Sequence, residues 1–135
     1  EQPAPVELGV PGTARFGPWE VEARLAEPGR AGERLRDDAL VAASELASTL
    51  VVRAWRAGDR MRPAGLGGSK SLQDLFTDRK VPRELRRTLP VVESDGEIVW
   101  VAGVAVGERF RSRPPEAGAP APDLVSLSAR RARAG

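Results

Sequence analysis

The sequence predicts an α+β fold, a mostly antiparallel β-sheet with two short helices inserted between strands. Three observations carry that expectation. Apolar and polar residues alternate in short runs such as Trp19-Glu20-Val21-Glu22-Ala23-Arg24-Leu25, which is the period of a strand with one wet face. Glycine and proline account for 14 and 12 of the 135 residues and punctuate those runs as turns. Two segments between residues 69 and 88 place apolar residues at the spacing of short helices.

In chain order, EQPAP reads as an unstructured leader. Val6, Leu8 and Val10 alternate as a strand, and Pro11-Gly12 turns the chain. A short strand closes at Phe16, Gly17-Pro18 turns again, and the alternating run from Trp19 follows. RAGERLRDD, residues 30–38, is polar and reads as a loop. The segment 39–55, ALVAASELASTLVVRAW, fits either a helix over Ala39–Leu50 or two strands. The β-branched Thr49, Val51 and Val52 favour two strands.

After Trp55 the chain turns at Ala57-Gly58-Asp59 and loops through Pro63 to Gly68. Ser69 is the expected N-cap of a helix reaching Thr77, with Leu72, Leu75 and Phe76 on its apolar face. Pro82 suits the first turn of a second helix to Thr88, with Leu85 and Leu89 inward, and Pro90 stops it. PVVE is a strand, Ser94-Asp95-Gly96 a hairpin turn, and EIVWVAG its partner. VAVGERFRS reads as a further strand. From Arg113 the pattern dissolves into a Pro/Ala spacer and an Arg-rich end. The expected organisation is a domain over 1–112 and a mobile tail over 113–135.

Composition narrows the chemistry. The chain has no Cys, His or Tyr, so thiolate metal sites, disulfides and the commonest general base are absent. No apolar run approaches the ~20 residues that span a bilayer. No signal peptide is visible, and the chain, opening on Glu1, reads as part of a longer, cytoplasmic protein. Net charge is only +2, but residues 53–87 alone carry +6, against −4 for residues 1–52 and zero for residues 88–135. Nineteen of the 21 basic residues are Arg, the side chain whose planar fork fits phosphate.

The glycine-rich GLGGSKS departs from a nucleotide-binding P-loop, because Ser69 separates Gly68 from Lys70 and Gly65 lies one residue too close. Its physics still suits an anion, since glycines let backbone N–H groups approach a phosphate. Arg83, Arg86 and Arg87 share a helix face. Trp55 is a core residue or a base-stacking platform. Asp74 and Asp78 fit capping and Arg pairing rather than metal binding.

The stretch LVVRAWRAGDRMRPAGLGGSKSLQDLFTDRKVPRELRRTLPVVESDGEIVWVAGVAVGERF, residues 50–110, resembles the C-terminal domain of bacterial tRNA(Ile)-lysidine synthetase. Matching positions run in order from Arg53, Trp55, Gly58-Asp59-Arg60, Pro63 and Gly65 through Gly68, Lys70, Leu72, Asp74 and Phe76 to Lys80-Val81-Pro82, Arg86, Pro90, Ile98, Trp100 and Gly103. Ala57 stands where the family commonly has Pro, and Ser71 where it has a second Lys. The SGGxDS loop of the family's ATP-pyrophosphatase domain does not occur here. The resemblance implies a tRNA-holding domain that docks the acceptor stem of isoleucine tRNA, far from the chemistry. That chemistry is adenylation of the wobble cytidine by ATP and attack by lysine. ATP and magnesium belong to the catalytic domain, and this chain needs no cofactor and has no activity alone.

On this reading Arg53, Arg56, Arg60, Arg62, Lys70, Lys80, Arg83 and Arg87 contact RNA, and Gly58, Asp59, Gly65, Gly67 and Gly68 shape the loops. Leu72, Phe76, Leu85, Ile98 and Trp100 are core. Expected partners are isoleucine tRNA, the N-terminal catalytic domain and a second copy in a possible dimer. The alternative is a protein-interaction or dimerisation module whose basic face meets an acidic partner.

Overall fold

A computed structural model describes residues 2–26, 39–113, 116–120 and 122–132. The expected loop at 30–38 lies outside the described residues. Two antiparallel sheets share one hydrophobic core. β1 (Val6–Gly9) lies beside β5 (Thr49–Arg53), followed by β8 (Val91–Ser94), β9 (Glu97–Val101) and β10 (Ala105–Val106) in a five-stranded sheet. β2 (Gly12–Phe16), β3 (Trp19–Ala26), β11 (Leu124–Arg131) and β4 (Ala39–Ala42) form a four-stranded sheet in that order. A small hairpin of β6 (Arg60–Met61) and β7 (Lys70–Ser71) stands apart, and α1 (Leu72–Asp78) and α2 (Arg83–Arg86) connect it to β8. Antiparallel pairing and two short helices between strands are as predicted, but the strands divide between two main sheets rather than forming one.

Local chemistry explains most elements. Two strands form in 39–53 rather than one helix, joined by a single 3₁₀ turn at Ala43–Glu45. The β8–β9 hairpin turns on Asp95 and Gly96, both at positive φ, the conformation a two-residue hairpin turn requires. The cap of α1 is Ser71 and not Ser69: the Ser71 hydroxyl accepts from the Asp74 N–H at 3.1 Å. Ser69 and Lys70 are drawn instead toward the β6–β7 hairpin, which local propensity did not announce. Leu72, Leu75 and Phe76 are buried as expected.

The C-terminal segment corrects the expected domain boundary. Residues 124–131 are not a mobile tail but the long strand β11, paired antiparallel with β3 along its whole length and with β4 over Leu124–Leu127. Val125 and Leu127 are fully buried. Leu124, Val125, Leu127 and Ser128 are all buried, so both faces of the strand are covered over much of its length and the strict alternation that announces a half-exposed strand is lost.

The other end of the five-stranded sheet, at β10, leads into the segment Gly107–Arg109. β8 and β9 slip register at Val92/Glu93, which leaves Val99 unpaired with β8. The Val99 carbonyl instead accepts the Gly107 N–H at 2.7 Å. A Cβ at Gly107 would lie 2.7 Å from the Ile98 carbonyl oxygen, so only glycine lets the chain cross this closely. Glu108 and Arg109 are thereby set beside the β6–β7 hairpin.

Candidate functional site

The basic stretch folds around one buried guanidinium. Arg53 ends β5 and is 4% exposed. Its Nη1 donates to Asp59 Oδ2 at 2.9 Å and to the Ala54 carbonyl at 3.0 Å, Nη2 donates to Asp59 Oδ1 at 3.1 Å, and Nε donates to Glu93 Oε2 at 2.8 Å. Burial disfavours the charged guanidinium, but the hydrogen bonds it donates to Asp59 and Glu93 outweigh this and hold the group above its ordinary range. Asp59 also accepts the Arg56 N–H at 2.8 Å, and its carbonyl accepts the Leu72 N–H at 2.9 Å. One knot therefore fixes the 56–59 turn, the sheet and the start of α1. Arg53 was expected to touch RNA. The structure corrects this, because the side chain is buried and its donors face two carboxylates and a carbonyl. Trp55 is half-buried and meets Phe76 edge-to-face at 5.6 Å, so it serves the core.

The glycine loop is anchored at its root and open at its tip. Ala64 N–H donates to the Val106 carbonyl at 2.8 Å, and Glu108 N–H donates to the Arg62 carbonyl at 2.7 Å. Gly65 N–H donates to Glu108 Oε1 at 3.0 Å. That contact first, and Arg111 and Arg113 beside it, hold the Glu108 carboxyl below the usual range. Gly65 and Gly67 have φ of 84° and 82°, and a Cβ at either would meet nothing within 4 Å. These glycines are demanded by backbone conformation. The loop does not run into a helix start, since β7 intervenes before α1.

The other expected contacts divide. Arg56, Arg60, Arg62, Lys80, Arg83 and Arg87 are exposed. Arg60 Nη2 donates to Ser69 Oγ at 3.2 Å. Lys70 is partly shielded and paired with Asp78. Arg86 turns inward, donating from Nε to the Val81 carbonyl at 2.8 Å and lying 5.8 Å from the Phe76 ring centroid. Arg60 and Arg62 line one wall of a cleft of about 400 Å³, and Glu97, Glu108 and Arg109 line another part of it. Charge density in the sequence does not single out Arg109 and its neighbours, because the net charge of residues 88–135 is zero. The spacing Arg109-x-Arg111-x-Arg113 was the available signal.

Lys80 occupies a costly conformation. Its φ is 56°, and the Val81 N–H donates to the Phe76 carbonyl while the Lys80 N–H donates to that of Thr77. This pair of bonds closes α1 in the manner that normally uses glycine. A left-handed residue other than glycine costs about 1–2 kcal/mol, offset in part by the chain entropy glycine loses on folding. Lys80→Gly is therefore expected to raise stability by roughly 0.5–1 kcal/mol, read as a higher urea midpoint. An unchanged or lower midpoint would show that the lysine stem packs favourably enough to offset the strain.

Comparison with known proteins places this architecture. Residues 50–122 match the family described as the TilS substrate C-terminal domain. The chain is 44% identical over 99 residues to tRNA(Ile)-lysidine synthase of Symbiobacterium thermophilum, covering 73% of this chain and 20% of that protein. It is 43% identical over 81 residues to the Geobacter sulfurreducens enzyme of the same name, covering 60% and 17%. The chain thus spans about a fifth of the length of these relatives. A crystal structure of a TilS C-terminal domain superposes with a TM-score of 0.75 at 25% identity, covering 97% of this chain and 100% of that one. The match embraces the β5–β10 region that builds the Arg53 knot and the glycine loop, and the structural likeness extends across both sheets: the chain belongs to the TilS C-terminal domain family.

Proposed function

We propose that this domain docks the acceptor stem of isoleucine tRNA for a tRNA(Ile)-lysidine synthase, the ligase that joins lysine to the wobble cytidine using ATP. The observation that carries this reading is the exposed pair Arg60 and Arg62 on a hairpin braced by the Arg53 knot and the Glu108 anchor. A-form RNA is recognised mainly through shape, phosphates and 2′-hydroxyls, and fixed guanidinium forks suit such a target. Arg56, Lys80, Arg83 and Arg87 extend the charge along the same stretch of chain, and Lys70 contributes less because Asp78 already holds it.

Adenylation and lysine attack fall to the catalytic domain, with ATP and magnesium held there. Among the described residues no three carboxylates converge to hold a metal ion, and docking requires none. Among the described residues no helix is long and apolar enough to cross a membrane. A tRNA-modifying role is what places the enzyme in the cytoplasm on this reading.

The test is a salt titration of binding to an isoleucine tRNA transcript beside an RNA of equal length. Preference for the tRNA with a steep salt slope is expected. Arg60→Gln with Arg62→Gln should weaken binding about 10-fold and flatten the slope of log K against log salt by roughly 1.5–2, borrowing coefficients from other nucleic acids. Unchanged affinity in a folded double variant would overturn the assignment. Absence of RNA binding by the unsubstituted chain would favour a module whose basic face meets an acidic protein.

A further inference from the structure

Arg109 lines two clefts, not one. The first holds Arg60 and Arg62. The second, of about 420 Å³, is lined by Arg111 and Arg113 and by Ala119, Pro120 and Pro122. The sequence separates these arginines by nearly fifty residues, and the Gly107 crossing brings them side by side. Resting on the docking reading above, we propose that the RNA face continues past Arg109 into this second cleft, where Arg111 and Arg113 hold backbone phosphates beyond those reached by Arg60 and Arg62.

The guanidinium groups are held in place before any ligand arrives. Arg109 donates from Nε to Glu45 at 2.9 Å and from Nη1 to Glu97 at 2.7 Å, and lies 5.3 Å from the Phe110 ring centroid. The bonds to Glu45 and then Glu97 keep it above its ordinary range. Arg111 Nε donates to Glu108 Oε2 at 2.5 Å and Arg113 Nη2 to the same oxygen at 3.2 Å. Glu108 also carries the Gly65 N–H of the glycine loop. The loop and the two arginines therefore share one anchor.

Each of these arginines is about half exposed, and each keeps guanidinium N–H groups outside the bonds just named. The strip bears five guanidiniums against the three carboxylates of Glu45, Glu97 and Glu108, so it stays cationic. A fork pinned through one edge presents its other edge in a fixed direction, which is the geometry that phosphate oxygens accept. A solvated ion-pair surface would not need to connect to the glycine loop through a shared carboxylate.

The experiment compares Arg111→Gln with Arg113→Gln, Arg111→Lys with Arg113→Lys, and the Arg60/Arg62 double variant. Each is titrated with the isoleucine tRNA transcript between about 50 and 200 mM salt. The glutamine pair is expected to bind about 10-fold more weakly and to flatten the salt slope by roughly 1.5–2, while the lysine pair restores the slope. Thermal unfolding within a few degrees of the unsubstituted chain ensures that the fold is intact. If the Arg60/Arg62 variant weakens binding and the glutamine pair leaves the slope unchanged, this extension is wrong and the docking function stands. If the unsubstituted chain shows no salt-dependent RNA binding, both fail.

Discussion

Ending the chain at Asp123 is expected to abolish cooperative folding. The segment removed carries β11, which lies between β3 and β4 in the four-stranded sheet. Leu124, Val125 and Leu127 are buried, the last two completely. Emptying the space of one large apolar core side chain typically costs about 2–5 kcal/mol, and a domain of this size is stable by only about 5–15 kcal/mol. The deletion removes three such side chains and the backbone ladders on both edges. β3 and β4 are then left as open edges beside an exposed core, a template for aggregation. The measurement is urea unfolding followed by circular dichroism. A truncated chain that keeps a sigmoidal transition with an undiminished midpoint would show that β11 merely leans on a self-sufficient sheet. Leu127→Ala, which keeps the ladder, separates packing from pairing and should cost about 2–5 kcal/mol alone.

The reason this strand was illegible in the sequence is physical. Its partners Trp19–Ala26 lie about a hundred residues earlier, and no local propensity reports a pairing at that distance. Its neighbourhood is also misleading: a Pro/Ala spacer precedes it and arginines close it. The elements that local chemistry specifies were legible. Asp95-Gly96 dictated a hairpin, Pro82 opened a short helix, and the β-branched Thr49, Val51 and Val52 chose strand over helix. The candidate site was half legible for the same reason. Charge density located the hairpin of Arg60 and the loop of Gly65, because both lie within one continuous stretch. Arg109, Arg111 and Arg113 join them through the Gly107 crossing and the register slip of β9, which are tertiary events. Averaged with the acids around them in sequence, those arginines looked neutral.

Arg53→Ala is expected to destabilise the domain by about 3–5 kcal/mol, the cost of removing one partner from a buried ion pair. Counting charges makes Arg53 look like the first residue of a binding stripe. Its environment makes it the opposite. The side chain is 5% exposed and its partners Asp59 and Glu93 only 13% and 17%, so its loss strands two carboxylates where water reaches them poorly. Asp59 in turn holds the Arg56 N–H and the α1 start, so the damage should spread into the hairpin bearing Arg60. Arg53→Met fills the volume but leaves both carboxylates, and should be nearly as costly. Adding Asp59→Asn and Glu93→Gln to Arg53→Met removes the stranded charges and should recover part of the loss, since a buried ion network is often replaceable when all its members change together. Urea midpoints of the three variants, measured beside their tRNA affinities, discriminate between roles. A phosphate contact predicts lost affinity at full stability. A structural knot predicts lost stability first, with affinity returning toward normal in the triple variant if the hairpin recovers its shape. The second pattern would make Arg53 the residue that builds the proposed docking surface without touching what docks there.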